Sequence, residues 1–238
     1  MRLDDPQIVR AEYASEDGLR ARQSIYEGSH GPDPRDTAFA AVAEVGPRRV
    51  IEAGCGWGEF AERLGRELGA DVVAVDLSPR MVELARERGV DARIADVHAL
   101  PFADGEFDCA VANWMLYHVP DLDRALGELA CVLRRGGRLV AATNSLRHLE
   151  ELWSLVGRDR NTEPPRFFAE TGEVALRRHF GLVERRDIAG DLAFHDAAAV
   201  RGYIASSVAH KHLVDRLPAF DGPLRATTRV AIFVADRL

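Results

Sequence analysis

From residue 46 to residue 143 the chain switches regularly between two patterns of hydrophobic and polar positions. Short apolar runs that end in glycine or a carboxylate, Val50-Ile51-Glu52-Ala53 and Val72-Val73-Ala74-Val75-Asp76, predict buried strands. Further strands are expected at 92–95, 107–112 and 138–143, with Gly136-Gly137 as the turn into the last of them. Between the strands, apolar residues fall at helical spacing. Phe60, Ala61, Leu64 and Leu68 share one face, and Leu122, Ala125, Leu126, Leu129 and Leu133 share another behind a capping Asp121. Ser78-Pro79 and Gly89 bracket a third helix, since serine caps free N–H groups, proline suits the first turn and glycine closes the last. This order predicts an α/β fold with a parallel sheet, helices on both faces and a ligand at the carboxyl ends of the strands.

The flanks read differently. Residues 1–45 are polar and weakly helical, with a turn region at Gly28-Ser29-His30-Gly31-Pro32-Asp33-Pro34 and a short helix from Asp36 to Val45. After Thr143 a helical excursion is expected over 144–181, carrying Trp153 and the pair Phe167-Phe168. A strand near 182–188, helices within 196–217 and a closing strand near 229–235 follow. With no repeat or long linker in view, residues 1–238 are read as one domain: an N-terminal helical lid (1–45), a nucleotide-binding core (46–143) and acceptor-side helices with the last two strands (144–238).

The first strand runs into Gly54-Cys55-Gly56-Trp57-Gly58, and the second ends in Asp76 about twenty residues later. Small residues let the backbone pass close to a ligand, and Asp76 is placed to accept hydrogen bonds from a ribose diol. A dinucleotide fingerprint spaces its last two glycines three apart, whereas here glycines alternate and position 59 is Glu. Glu52, two residues before the loop, would repel a pyrophosphate but suits an ammonium or sulfonium. The ligand indicated is a positively charged nucleoside, which argues against a nicotinamide oxidoreductase. The plainer reading of the loop is a turn that needs glycine for geometry alone.

Composition narrows the partners. A net charge of −7 and a pI near 5.6 deny the chain the positive field that dominates nucleic-acid affinity. Arg134-Arg135 reads as a solvated helix end. Cys55, Cys109 and Cys131 show neither C-x-x-C pairing nor histidines at ligand spacing, so no metal site and no disulfide framework is expected. The start Met1-Arg2-Leu3-Asp4-Asp5-Pro6 has no apolar signal region, and no run approaches the ~20 apolar residues of a membrane helix. A cytoplasmic setting without membrane or nucleic-acid partners is the expectation; oligomeric state is not legible.

Taken together, Val50 to Gly58, Val75-Asp76-Leu77-Ser78, Asp96, Leu100-Pro101-Phe102 through Phe107-Asp108, and Leu133 to Leu139 resemble the class I S-adenosylmethionine-dependent methyltransferases. The style is that of the small-molecule group that includes the ubiquinone and menaquinone enzymes, and the match spans residues 47–143. The resemblance implies a Rossmann-like, seven-stranded parallel sheet with an antiparallel last strand. It also implies roles. Glu52 and Gly54 would face the methionine part of S-adenosylmethionine, with Glu52 acting on its ammonium, and Gly56 and Gly58 would let the loop approach. Asp76 would bind the ribose, Leu77 and Met81 would sandwich the adenine, and Asp96 would accept from its amino group with Val97 alongside. Asn113 would offer its backbone carbonyl near the methionine end. Arg135 stands where the family often has proline, and Glu52 where aspartate is commoner. Asn113-Trp114-Met115 lacks the two prolines typical of enzymes that methylate amino groups of nucleic-acid bases.

The expected chemistry is in-line methyl transfer to a small, partly apolar acceptor, with S-adenosylhomocysteine released. The leaving thioether needs no proton, so a base is needed only for a protonated nucleophile. His118 and Tyr117 are the catalytic candidates, His118 having a packing role as its alternative. Tyr13, Tyr26, His148, Phe167, Phe168 and His195 are candidates for the acceptor side, and Asn144 and Trp153 lie in the same segments. The rival functions are a binder of the nucleoside without turnover and a methyltransferase with a macromolecular acceptor.

Overall fold

The computed structural model describes residues 3–159 and 166–238. Its seven strands are β1 (Arg49–Ala53), β2 (Asp71–Asp76), β3 (Asp91–Ile94), β4 (Phe107–Asn113), β5 (Leu133–Asn144), β6 (Leu182–Phe194) and β7 (Leu224–Asp236). They form one sheet in the order β3-β2-β1-β4-β5-β7-β6. Five run parallel from β3 to β5, and β7 lies antiparallel between β5 and β6. The sheet and its antiparallel last strand match the expected fold.

Helices α1 (Pro6–Glu12), α2 (Asp17–Ser24) and α3 (Pro34–Ala43) precede the sheet. Next come α4 (Glu59–Leu68) after β1, α5 (Pro79–Glu87) after β2 and α6 (Leu122–Val132) between β4 and β5. Beyond β5 lie α7 (Glu150–Leu155), α8 (Gly172–Leu176) and α9 (Ala197–Ala205). Local chemistry sets the ends. Asp33 accepts from the Arg35 N–H ahead of Pro34, so α3 begins two residues earlier than the apolar pattern suggests. Ser78 caps α5 by accepting from the Met81 N–H at 3.3 Å.

The sheet buries one apolar cluster on each face. Ile51, Val73, Ala110, Leu139 and Phe233 point to one side; Val50, Val72, Ala74, Val111 and Val140 point to the other, as the two-residue strand period requires. A third cluster lies beyond the end of β5. There β6 and β7 run on as a two-stranded ribbon, pairing Ala189–Phe194 with Leu224–Arg229. Leu192, Phe194 and Ala226 on this ribbon pack with Leu149, Trp153 and Ile204.

The ribbon lengthens both strands past the expected 182–188 and 229–235. Within the ribbon, Gly190 is where a second backbone comes close: a Cβ on Gly190 would sit 2.7 Å from the His30 carbonyl oxygen. His30 and Asp191 exchange backbone hydrogen bonds of 2.8 and 2.9 Å, which fixes the N-terminal segment to the ribbon.

Candidate functional site

The strand order reverses between β1 and β4, which opens a crevice at their carboxyl ends. The register pairs Glu52 with Val111, so Gly54 and Asn113 stand side by side at that opening. Glu52 is 3% exposed, and its Oε2 is buried without a hydrogen-bond partner. Burial is the main cause that pushes its carboxyl up to about 8; the Ala61 backbone opposes this and the nearby Asp76 adds to it. Both side-chain atoms of Asn113 are likewise buried and unpartnered. A donor, two acceptors and a latent negative charge therefore converge where no protein group answers them. Such orphaned polar atoms are costly unless a ligand satisfies them.

The loop above is built on backbone. Gly54, Gly56 and Gly58 all have positive φ (69°, 54° and 80°). At Gly54 a Cβ would lie 2.6 Å from the Met115 Cβ, so the residue after Trp114 passes directly over the loop. Asp76 braces the loop from β2. Its Oδ2 accepts from the Gly56 N–H and its Oδ1 from the Ser78 N–H, both at 2.9 Å. Burial raises the Asp76 carboxyl, against the pull of these N–H groups. Each oxygen keeps a lone pair for a further donor.

Of the residues expected around a base, Leu77 is 40% exposed and Val97 is buried beside Asp96. Asp96 Oδ1 accepts from the His98 N–H at 2.9 Å and lies 2.6 Å from its Nδ1, with the carboxylate more than half exposed. Met81 is fully buried beneath α5 and offers the crevice no surface, because α5 turns that position inward.

The N-terminal helices cover the crevice. The Ser78 hydroxyl donates to the Tyr13 carbonyl at 2.7 Å, Arg80 pairs with Glu16, and Leu19 reaches the loop near Gly56. Two tyrosine–histidine bonds fasten the cover. Tyr13 Oη lies 2.9 Å from His118 Nε2, and Tyr26 Oη lies 2.9 Å from His148 Nε2. His118 Nδ1 is 2.8 Å from the Leu3 carbonyl, which can only accept, so Nδ1 carries the proton and Nε2 accepts from Tyr13. Burial holds the His118 imidazole down at about 4; the Leu3 carbonyl opposes this, and Arg22 and Arg166 reinforce it. Burial, partly offset by Arg22, pushes the Tyr13 phenol up to about 12.

Beneath the cover is a cavity of about 100 Å³. Tyr13, Tyr117, His118, Asn144, His148, Trp153 and Phe168 line it together with residues from α9 and beyond. The structure thus brings together five of the expected acceptor-side or catalytic residues: Tyr13, Tyr117, His118, His148 and Phe168. Two others lie elsewhere. Phe167 is fully buried against Phe233 under the sheet, 5.5 Å between ring centroids. His195 is exposed, since the alternation that turns Leu192 and Phe194 inward along β6 turns its position outward. Tyr26 reaches the site through His148.

Several lining residues were missed: Glu12, Arg22, Arg158, Tyr203, Ser207 and His210. Glu12 pairs with Arg22, and its other oxygen accepts from the Ser207 hydroxyl and the Val208 N–H. These partners are 195 and 196 residues away in the chain, a distance no local pattern bridges. Glu12 and Arg22 lie in two helices of the polar stretch 1–45, which carries no local sign of their burial.

Comparison with known proteins agrees with this geometry. A family profile described as a methyltransferase domain matches residues 51–141. The malonyl-[acyl-carrier protein] O-methyltransferase of Pseudescherichia vulneris is 36% identical over 206 residues, which covers 81% of this chain and 78% of that protein. The demethylmenaquinone methyltransferase of Thermus thermophilus is 40% identical over 113 residues, covering 44% of this chain and 51% of that one. The chain spans about half the length of several further curated relatives. A crystal structure from Thermotoga maritima, titled as an S-adenosylmethionine-dependent methyltransferase and possible histamine N-methyltransferase, superposes with a TM-score of 0.62 at 19% identity, over 96% of this chain and 99% of that one. Among the described residues no helix is long and apolar enough to cross a membrane. The orphaned Glu52 and Asn113, the open-backbone glycine loop and the braced Asp76 fit the amino-acid end and the ribose of the nucleoside that such enzymes use. With that fit and the relatedness over most of its length, the chain belongs to the S-adenosylmethionine-dependent methyltransferases.

Proposed function

We propose that this chain transfers a methyl group from S-adenosylmethionine to a small, partly apolar acceptor bound in the cavity under the N-terminal helices. The observation that carries the reading is that Glu52 Oε2 and the Asn113 amide, at the neighbouring ends of β1 and β4 beside the glycine loop, are buried and unpartnered. When bound, S-adenosylmethionine supplies a methyl group on a sulfonium, whose sulfur departs as a neutral thioether. Glu52 and Asn113 hold the ammonium and carboxylate end, and Asp76 holds the ribose hydroxyls. Met115 and Leu19, both flexible side chains over the loop, yield to the ligand and exclude water around it.

Tyr13 and His118 supply the base. The Tyr13 proton already points at the His118 lone pair, which leaves the phenol oxygen able to take a proton from the acceptor as it passes its own to Nε2. An attacking hydroxyl or amine becomes strongly acidic only as its new bond forms, so an imidazole of low basicity suffices. Tyr117, 4.4 Å from the His118 ring, closes the same wall.

The test is a transfer assay with methyl-labelled S-adenosylmethionine and a host extract, in which small-molecule and macromolecular fractions are counted separately. Label in the small-molecule fraction is expected. Asp76→Ala should weaken S-adenosylhomocysteine binding by about 1.5–3 kcal/mol, read by calorimetry, because charge-assisted hydrogen bonds are lost. Unchanged affinity in that variant would overturn the cofactor assignment, and label in the macromolecular fraction would overturn the acceptor class.

A further inference from the structure

His98 carries a polar atom that no step described so far uses: its Nε2 is buried and has no hydrogen-bond partner. The other ring nitrogen is engaged. Nδ1 lies 2.6 Å from Asp96 Oδ1, and the His98 backbone N–H donates to the same oxygen at 2.9 Å. An ionised carboxylate only accepts, so Nδ1 carries the proton and the buried Nε2 keeps a bare lone pair. A side chain kept only for packing would be apolar, since leucine or phenylalanine fills such a space without the cost of an unpaired nitrogen. What the imidazole adds is the Nδ1 donor.

Asp96, the residue expected to meet the base, stands next to the ribose end of the crevice. Asp76 pairs with Ile94 across β2 and β3, and the Ala95 N–H donates to the Asp76 carbonyl at 3.1 Å. Asp96 follows directly. Its turn is closed by the Ala99 N–H on the Asp96 carbonyl at 2.9 Å. Two bonds tie the turn to α6: Arg124 Nε donates to the His98 carbonyl at 2.8 Å, and the Leu100 N–H to Glu128 at 3.0 Å. Both His98 donors take Oδ1, and Oδ2 accepts no hydrogen bond among the described residues. Burial would raise the Asp96 carboxyl, but the two His98 N–H groups, with Arg124 behind them, hold it below the ordinary range. One oxygen is thus pinned, and the other is ionised, fixed in place and open to a donor.

We propose that His98 is a positioning residue for the cofactor's base: it fixes Asp96 so that one carboxylate oxygen meets the exocyclic amino group of adenine, and the site thereby selects a 6-aminopurine over a 6-oxopurine. This inference rests on the methyltransferase reading and deepens it at the base end of the cofactor. An amino group donates to that oxygen. A 6-oxo group turns lone pairs toward it instead, and a pinned carboxylate cannot swing away from them. With Nδ1 removed, only the backbone N–H restrains an exposed carboxylate, and both the attraction and the repulsion are diluted by its rotation.

Calorimetric titration of the full chain with S-adenosylhomocysteine and with its 6-oxo counterpart, S-inosylhomocysteine, tests the proposal. The parent should prefer the amino compound roughly 10- to 150-fold. His98→Phe keeps the volume of the ring and removes the donor. The preference should fall several-fold in this variant, while S-inosylhomocysteine affinity stays the same or rises. His98→Asn, whose amide N–H stands close to the place of Nδ1, should restore most of the preference. If His98→Phe does not fold, His98→Ala takes its place. An unchanged preference in the donor-free variant, with both ligands weakened alike or not at all, overturns the proposal and reduces His98 to packing. A parent that binds both nucleosides equally overturns it too, since Asp96 then does not read the base. If the parent binds neither, the cofactor reading itself fails and takes this inference with it.

Discussion

Two parts of this molecule do comparable jobs by opposite means. Between residues 46 and 143 the site is made largely from backbone: a glycine loop, N–H groups braced by Asp76, and strand ends brought together by sheet register. In the flanking segments the site is made from long side chains, tyrosine, arginine and histidine, that meet from both ends of the chain. A backbone site is tied to the fold and changes with difficulty. A side-chain site on loops and short helices can be rebuilt while the sheet beneath it stays the same.

The comparison can be broken at its weakest points, and the largest effect should come from the covering half. His118→Asn keeps a polar side chain but removes the lone pair that faces Tyr13. We expect kcat to fall by 10²- to 10⁴-fold with S-adenosylhomocysteine affinity unchanged, as steady-state kinetics and calorimetry on the same sample would show. A kcat within a few-fold of the parent would reduce His118 to packing.

The core half is sharpened by Glu52→Gln. The folded carboxyl titrates at about 8, above its value of 4.5 when solvated. The folded state therefore keeps a proton that the unfolded chain gives up, and stability falls as pH rises from about 4.5 to about 8. Gln cannot ionise, so the variant escapes this loss and should gain on the order of 3 kcal/mol at pH 7 and nothing near pH 4. It should also bind S-adenosylhomocysteine more weakly. Denaturant melts at several pH values check the first statement, and a pH-independent difference would contradict it.

Glu12→Ala should cost about 3 kcal/mol, since Arg22 is left with a poorly solvated charge. Arg22 is about one-fifth exposed, which caps the effect. Limited proteolysis should then cut α1 and α2 first while the sheet stays protected. Uniform loosening of the whole molecule would show that the cover and the core are not separable.

The same contrast explains what was legible in the sequence. Strands β1, β2 and β4, the helix caps and the loop could be read because each is set by residues within a few positions of one another. Ser78, Gly89 and Asp121 are local signals with local causes. The ends of β6 and β7 could not be read, because Gly190 belongs to a strand through its pairing with Thr228, and what requires a glycine there is the close approach of His30, 160 positions away. Met81 has the right chemistry to touch a base, but the helix phase that buries it is a property of packing. Phe167 and Phe168 are adjacent and alike in sequence, yet one fills the core and the other faces the cavity. Glu12, Arg22 and Arg158 escaped notice because charged residues in polar stretches ordinarily face water.

The bond between Glu12 and Ser207 also sets an order of assembly. Helix α1 is synthesised well before its anchor, which is 195 residues further along the chain. At ~5–20 residues per second the helix waits roughly 10–40 s for that anchor to be synthesised. The cover is therefore made before the sheet and docks after it, and it waits as an open polar segment while the sheet forms behind it. Its low apolar content keeps that interval harmless.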